Sequence, residues 1–391
     1  MAVVGGGVVG LTCALELARA GHRVRVHTAD PPEATTSAVA AALWFPYRAA
    51  PAHAVLCWGA TSLEVLTRLA ADPATGVALR PGTVVHRTPD PDLWWTPGVA
   101  GIRPATAEEL PPGAPAGTRC TLPVVDMGRY LPWLAATCAS AGVETVPGRV
   151  GGLDEVAGDV VVVAAGLASG ALVDDDSGVP VQGQVVRLAD PGLTGWVLDD
   201  DDPGGLTYVV PRGGDVVCGG TAVEGATGTE PDPEVEAAIL ERACALVPEL
   251  RGQPVLSRAV GLRPGRPTVR LERLDVAGRP VVACYGHGGA GVTLSWGCAA
   301  DVSGLVSRRT PSSPPLAGSG RCPRRSLRRP GRPAPSRRRG PPRPAARPRR
   351  RPPGWSGCPP RCPVRPPAGR RPGRPSRRAP AAARRRSPPR P

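Results

Sequence analysis

A glycine-rich hexapeptide near the N-terminus has the residue types and the spacing of a phosphate-binding turn. The sequence GGGVVG matches the pattern G-x-G-x-x-G between an apolar run and a helix-like segment. In this pattern the first glycine permits a tight turn, the second lets the backbone approach a pyrophosphate, and the third lets helix and strand pack closely. A dinucleotide is the predicted ligand, and a plain glycine turn is the alternative. The predicted phosphate contacts are Gly5, Gly6, Gly7, Val8, Val9 and Gly10.

Polar residues after the second predicted strand could bind the rest of a dinucleotide. Asp30 follows the last glycine of the motif by about 20 residues, where an acid binds the adenosine ribose. Alternatively, Ala29 occupies that position and Asp30 lies in a turn. Thr35, Thr36 and Ser37 could donate hydrogen bonds to phosphates, and the alanines after them would let the chain pass beside a flat ring. The alternative for this segment is an N-capped, alanine-rich helix.

A second set of residues could hold a carboxylate. The stretch GLRPGRPTVRLE places Arg263, Arg266 and Arg270 within eight residues, and one guanidinium can bind a carboxylate through two parallel hydrogen bonds. Surface exposure or ion pairing is the alternative for Arg263 and Arg266. Tyr208, in LTYVVPR, could line a pocket from a sheet face or lie in the core. The glycines of YGHGGAG indicate that backbone approaches a ligand closely, and we expect His287 to be a structural, hydrogen-bonding residue.

The periodicity of apolar residues predicts an α/β fold. The N-terminal segment reads as a strand, a glycine turn, a helix that ends at Gly21 and a second strand. Such a βαβ unit has parallel strands, which imply a sheet covered on both faces. Further helices are predicted at 53–72, 130–142 and 231–250, and short alternating runs between 181 and 264 predict an antiparallel sheet. A nucleotide-binding α/β half is therefore interleaved with a β-rich half.

Charge and cysteine content separate two parts of the chain. Residues 1–307 hold 21 Arg against 33 Asp and Glu, a net charge of −12, whereas residues 308–391 hold 27 Arg and no acid. The pI near 10.3 therefore describes the second part. The first part is long enough to bury a large core, and its eight scattered cysteines predict neither a metal site nor a disulfide framework. Because we find no apolar run long enough for a membrane span and no signal peptide, we expect a cytoplasmic protein.

The segment from 308 to 391 is predicted to be a disordered tail. It holds 24 Pro and almost no large apolar residue, so it cannot bury enough surface to offset the entropy of ordering. One hypothesis is an arm that binds nucleic acid or another polyanion. We favour a frameshift, because the whole chain has no Lys or Asn and one Phe, as expected of a GC-rich gene. Out-of-frame translation of such a gene yields Arg, Pro, Gly and Ala in quantity.

In content and order, five motifs of this chain resemble those of the D-amino-acid oxidase family of FAD flavoproteins. They are the N-terminal glycine motif, TTSAVAAALW, TYVVP, GLRPGRPTVRLE and YGHGGAGVTLSWGCA. The resemblance covers residues 2 to about 308. It implies a Rossmann-type FAD-binding domain interleaved with a mainly antiparallel β-sheet substrate domain. The FAD-binding parts would span about residues 1–50, 130–170 and 258–307, and the substrate-binding parts about 51–129 and 171–257.

The resemblance also implies roles for individual residues. Tyr208 and Arg270 would hold the substrate carboxylate, and Gly289 would receive the substrate amine on its carbonyl oxygen. Arg270 would also border the FAD. The other FAD contacts that the resemblance implies, besides the glycine motif, are Asp30, Thr35, Thr36, Ser37, Ala41, Ala42, Leu43, Val150, Gly166, Gly288, Gly289, Ala290, Gly291, Val292 and Thr293.

The reaction implied by the resemblance is oxidative deamination of neutral D-amino acids. A hydride passes from the substrate Cα to flavin N5, O2 takes up the electrons as hydrogen peroxide, and the imine hydrolyses to a 2-oxo acid and ammonia. The expected partners are a D-amino acid and O2, without a metal or a membrane. Nucleic acid would concern the tail alone, and a homodimer is one alternative for the oligomeric state.

Other functions stay open at this point. A D-aspartate oxidase needs further cations for a second carboxylate, and Arg212 is the one additional arginine near TYVVPRGG. Glycine or sarcosine oxidation is another alternative, and a non-catalytic protein that binds polyanions through the tail is an alternative of a different class. Gly204 stands where animal members of the family place a lid tyrosine, so we expect a short lid or none.

Overall fold

The computed structural model describes residues 1–307, and the predicted tail, with its hypotheses of disorder, polyanion binding and frameshift, lies outside the described residues. The strands are β1 (Ala2–Val4), β2 (Arg25–Thr28), β3 (Val77–His86), β4 (Arg103–Pro104), β5 (Ala116–Val125), β6 (Glu144–Pro147), β7 (Val161–Val163), β8 (Val179–Ala189), β9 (Trp196–Asp199), β10 (Thr207–Pro211), β11 (Asp215–Gly219), β12 (Val223–Glu224), β13 (Val255–Gly265), β14 (Arg270–Val276) and β15 (Arg279–Tyr285). The helices are α1 (Val8–Arg19), α2 (Thr36–Val39), α3 (Ala52–Leu69), α4 (Met127–Ser140), α5 (Ser169–Leu172), α6 (Pro233–Leu246) and α7 (Gly291–Ser307). In the described range 1–307, no helix has both the length and the apolar character that a membrane span requires.

The first sheet has six strands in the order β14-β15-β7-β1-β2-β6. Strand β1 pairs in parallel with β2 and β7, as the predicted βαβ unit requires, and β14 adds an antiparallel edge to β15. Val3 and Val162 pack in the core that includes α1 and α7, whereas Val161 and Val163 pack on the opposite face. Burial on both faces explains why these strands are nearly continuous runs of valine.

The second sheet has nine strands, in the order β12-β8-β11-β10-β9-β3-β5-β4 with β13 also paired to β8. Its pairings within residues 1–307 are antiparallel except for β3 with β9, which confirms the predicted fold class. Helix α6 covers one face, since Ile239 and Ala243 are fully buried in a core with Val209 and Val216. This sheet supplies a wall of the cavity described below.

Two elements cross the boundaries expected between the FAD-binding and substrate-binding parts. Strand β13 pairs with β8 from Val255 to Gly265, so residues 258–265 belong to the second sheet and not to the first. Helix α3, expected in a substrate-binding part, packs on α7, where Gly297 leaves no room for a side chain beside the Trp58 backbone. The physical reason is the same in both cases, because close packing of distant segments decides which layer an element joins.

Candidate active site

A cavity of about 460 Å³ lies where the parallel strands of the first sheet end and the face of the second sheet begins. Residues that directly follow β1, β2, β7 and β15 line one side of it, and residues of β8, β10 and β13 line the other. Open α/β sheets bind their ligands beyond the carboxyl ends of the strands. The topology therefore places a ligand-sized space at the expected edge.

The glycine motif forms one end of the cavity. Gly5 has a φ of 121°, a conformation that favours glycine, and a Cβ there would overlap the backbone of Ala164. A Cβ at Gly10 would overlap the carbonyl oxygen of Gly5, so the absence of side chains lets α1 approach β1. Helix α1 begins after Gly7, which itself supplies no capping side chain, and it has no acid in its first turn. A helix N-terminus of this kind favours a phosphate ligand.

The segment after β2 forms a long wall of the same cavity. The Ser37 hydroxyl accepts a hydrogen bond from the Val8 backbone nitrogen at 3.1 Å, which joins this wall to the first turn of α1. Thr35 donates its hydroxyl to the Pro32 carbonyl at 2.7 Å, so a local turn uses this group. Ala42 has a φ of 55°, and its carbonyl accepts from the backbone of β5. Small side chains therefore leave space for a flat group along this wall.

Most residues predicted to contact the cofactor do line the cavity. They are Gly5, Gly6, Gly7, Val8, Val9, Asp30, Thr35, Thr36, Ser37, Ala41, Ala42, Leu43, Val150, Gly166, Gly288, Gly289, Gly291, Val292 and Thr293. Gly10, Ala290 and Arg270 are not among the lining residues. Gly10 packs against the glycine turn, and Ala290 is fully buried in the core below the cavity.

At the other end of the cavity, residues from several distant segments converge. The Arg263 guanidinium lies over Gly183, where any side chain would overlap it, and its Nη1 donates to the Thr221 carbonyl at 2.8 Å. A Cβ on Gly289 would lie 2.8 Å from Cδ1 of Tyr47 and 3.6 Å from Cδ of Arg263. The backbone of Gly289 thus faces a small space bordered by a cation and an aromatic ring.

The protonation states at this end follow from burial. Desolvation raises the pKa of Tyr208, and the neighbouring Arg263 guanidinium offsets this only partly. Desolvation likewise raises the pKa of Tyr47, so both phenols stay protonated and can donate hydrogen bonds. Burial lowers the pKa of His287 to about 4, which keeps its imidazole neutral. Asp30, at the glycine-motif end, is the one carboxylate among the described residues that line the cavity.

Arg270 lies outside the cavity, contrary to the sequence-based expectation. It is the first residue of β14 and pairs with Tyr285. Its guanidinium donates to Glu272 at 2.7 Å, to the Tyr285 hydroxyl at 2.9 Å and to Asp175 at 3.2 Å. These acceptors hold the side chain away from the cavity. Arg263, for which exposure or ion pairing was an alternative, is the arginine that borders the cavity beside Tyr208.

Sequence reasoning missed Tyr47 as a site residue. It stands at the end of TTSAVAAALWFPY, a segment selected for its hydroxyls and small residues and not for its aromatic end. Its place beside Gly289 depends on the contact between this segment and the loop after β15, some 240 residues later in the chain. An aromatic hydroxyl shortly after the small-residue run was the available signal.

Three buried side chains lie close together near the Gly289 loop. The ligand atoms of Cys284, His287 and Cys298 lie within 4.8 Å of one another. The neighbouring thiols and burial together raise the pKa of Cys13 well above its usual value. Burial raises the pKa of Cys298, so it favours a protonated thiol over the thiolate that binds metals.

Comparisons with known proteins identify the family. A family model described as FAD dependent oxidoreductase matches residues 1–305. The chain is 50% identical over 308 residues to a D-amino-acid oxidase of Rubrobacter xylanophilus, covering 78% of this chain and 94% of that protein. It is 46% identical over 309 residues to a D-amino-acid oxidase of Streptomyces coelicolor, covering 78% and 96%. The fold is similar to that of glycine oxidase from Geobacillus kaustophilus, with a TM-score of 0.68, 22% identity and coverage of 81% and 96%. The chain therefore belongs to the FAD-dependent oxidoreductase family, which confirms the resemblance seen in its motifs.

The observed cavity fits FAD, the cofactor of this family. The glycine turn and the N-terminus of α1 suit the pyrophosphate, and Asp30 borders the cavity where the ribose would bind. The small residues after α2 and the first turn of α7 leave room for the ring system between the two sheets. The chemistry of the donors and the shape of the cavity agree with a dinucleotide cofactor.

Proposed function

We propose that this protein oxidises neutral D-amino acids with FAD and O2. The observation that carries the proposal is the convergence of Arg263, Tyr208 and Gly289 at one end of the cofactor cavity. Two relatives that are 46–50% identical over nearly their whole length are D-amino-acid oxidases. The proposed products are a 2-oxo acid, ammonia and hydrogen peroxide.

The residues at this end can hold an amino acid by both its carboxylate and its amine. The Arg263 guanidinium would bind the carboxylate through parallel hydrogen bonds, and the Tyr208 hydroxyl would donate another. The carbonyl of Gly289 would accept a hydrogen bond from the amine. Two fixed ends determine where the carbon between them lies, and such positioning accounts for much of the catalysis in reactions of this kind.

When bound, FAD supplies the acceptor for the hydride from the substrate Cα and then the route of the electrons to O2. The chain itself contributes orientation and charge. The first turn of α7 lines the cavity at Gly291 and Val292, and a helix N-terminus favours negative charge in that region. Because the lining residues of the described range provide no carboxylate near Gly289, the substrate amine must lose its proton before or during binding.

The distribution of arginines favours a neutral substrate side chain. Arg149 and Arg263 are the arginines among the described residues that line the cavity, and Arg149 lies at the glycine-motif end with Val150. Arg212, the further cation considered for D-aspartate, is 4% exposed and is paired with Asp126 and Asp215. Within residues 1–307, a second carboxylate on the substrate would therefore meet no free cation at the substrate end of the cavity.

Substrate oxidation can be tested by O2 consumption with a panel of amines. We expect turnover of D-alanine, weaker turnover of D-aspartate because its second carboxylate lacks a cation, and no turnover of L-alanine. Sarcosine and glycine as substrates test the alternative that the protein is a glycine or sarcosine oxidase. Activity on sarcosine without activity on any D-amino acid would contradict the proposal.

A further inference from the structure

One carboxylate, that of Asp175, joins segments from three parts of the chain behind the substrate end of the cavity. Its side chain is 9% exposed. Oδ2 accepts hydrogen bonds from the Tyr285 hydroxyl at 2.7 Å, from Arg266 Nε at 3.0 Å and from Arg270 Nη1 at 3.2 Å. Oδ1 accepts from the backbone nitrogen and the hydroxyl of Ser177. Five hydrogen-bond donors therefore hold this one carboxylate, and two of them belong to cationic guanidinium groups. We call this carboxylate with its donors the anchor.

The partners of Asp175 stand next to the residues proposed to contact the substrate. Arg266 follows Arg263 by three residues, just after the end of β13. Tyr285 is the last residue of β15 and precedes Gly289 by four residues. A shift of either segment relative to Asp175 therefore changes the separation between the carboxylate-binding guanidinium and the amine-binding carbonyl.

Direct packing transmits such a shift. A Cβ on Gly286 would lie 2.8 Å from the Cβ of Arg266, so the two segments touch without intervening space. The Gly288 backbone nitrogen donates to the Pro264 carbonyl at 2.9 Å. With little free volume between them, a displacement of one segment relative to the other disrupts these contacts.

We propose that Asp175 is a positioning residue, which sets the distance between the Arg263 guanidinium and the Gly289 carbonyl through Arg266 and Tyr285. The proposal rests on the proposed function, because that distance matters only if one substrate spans both groups. Hydrogen bonds from Ser177 and then Tyr285 hold the pKa of Asp175 well below its usual value, so the carboxylate of the anchor is anionic at neutral pH. Arg270, which lies outside the cavity, is one of the residues that bind the Asp175 carboxylate.

Two variants of the holoenzyme test this role. Asp175→Asn keeps the shape and removes the charge, and we expect the KM for D-alanine to rise about 10-fold, since small displacements of binding groups have effects of this size or larger. The kcat should fall as well, because the Arg263 guanidinium and the Gly289 carbonyl together fix where the substrate Cα lies. Tyr285→Phe removes one hydroxyl, and the KM should rise about threefold. Bound flavin per protein should stay the same in both variants.

Asp215→Asn is the matched control. Asp215 accepts a hydrogen bond from Arg212 Nε at 2.8 Å, and neither residue lines the cavity. This variant should lose stability while its KM stays unchanged. An unchanged KM in Asp175→Asn and Tyr285→Phe, or an equal rise in the control, would overturn the proposal. If Asp175→Asn does not fold, the KM of Tyr285→Phe decides.

The failure of this proposal and that of the proposed function give different results. A wild-type protein that turns over no D-amino acid would refute the proposed function and the positioning role with it. An active wild-type protein whose two variants keep a normal KM would refute the positioning role alone.

Discussion

Replacing Arg263 with lysine should weaken substrate binding much more than FAD binding. Nη1 of Arg263 already donates to the Thr221 carbonyl at 2.8 Å, which leaves the remaining donors of the guanidinium for a carboxylate. Lysine keeps the charge but cannot form two parallel hydrogen bonds to one carboxylate. The loss of a hydrogen bond to a charged group costs about 1.5–3 kcal/mol, so the KM for D-alanine should rise about 10- to 100-fold.

Steady-state O2 consumption over a range of D-alanine concentrations measures this effect, and visible absorption measures the flavin retained. Arg258→Lys is the control, because Arg258 lies on the same strand, is 47% exposed and pairs with Glu236 away from the cavity. Its KM should equal that of the wild type. A normal KM for Arg263→Lys, together with a large rise in KM for Arg270→Lys, would show that Arg270 and not Arg263 binds the substrate carboxylate.

Three further changes test the remaining parts of the site. Gly289→Ala should lose most of its activity on D-alanine, because the new Cβ would lie 2.8 Å from the Tyr47 ring; normal steady-state kinetics would contradict this. Gly5→Ala should be purified with little flavin, because this residue has a φ of 121° and faces backbone without free space. Visible absorption checks that expectation, with Gly304→Ala, whose Cβ would meet open space, as the control. The pH profile of kcat/KM should rise as the substrate amine loses its proton, with no step near neutral pH, because burial lowers the pKa of His287 to about 4. A bell-shaped profile centred near neutral pH would instead indicate a general base in the protein.

The nucleotide-binding end of the site could be predicted because its signals are local. The turn, the start of α1 and the close approach of Gly10 to Gly5 all arise within one hexapeptide. The residue types there are dictated by backbone conformation and by the space available. A single stretch of sequence therefore contains most of the physical argument.

The carboxylate-binding end could not be predicted to the residue. Three arginines stand within eight residues, and spacing does not show which of them faces the cavity. The choice depends on the register of β13 against β8, which places Arg263 over Gly183, and on Asp175, which holds Arg266 and Arg270 elsewhere. Both determinants lie about 80 to 95 positions away in the sequence, beyond the reach of a local pattern.

The layer that each element joins could not be predicted for a related reason. Alternation predicted that β13 is a strand, and periodicity predicted that α3 is a helix. Neither pattern identifies the partner of the element, because a strand or helix shows only that one of its faces is buried. The close contact of Gly297 with Trp58 and the pairing of β13 with β8 are properties of the assembled fold.

The visible absorption spectrum of the purified protein, before and after anaerobic addition of D-alanine, shows whether flavin is bound and whether a D-amino acid reduces it. We expect flavin absorption bands that bleach when D-alanine is added and return when O2 is admitted. A colourless protein, or flavin bands that persist with every D-amino acid and bleach with sarcosine, would contradict this expectation.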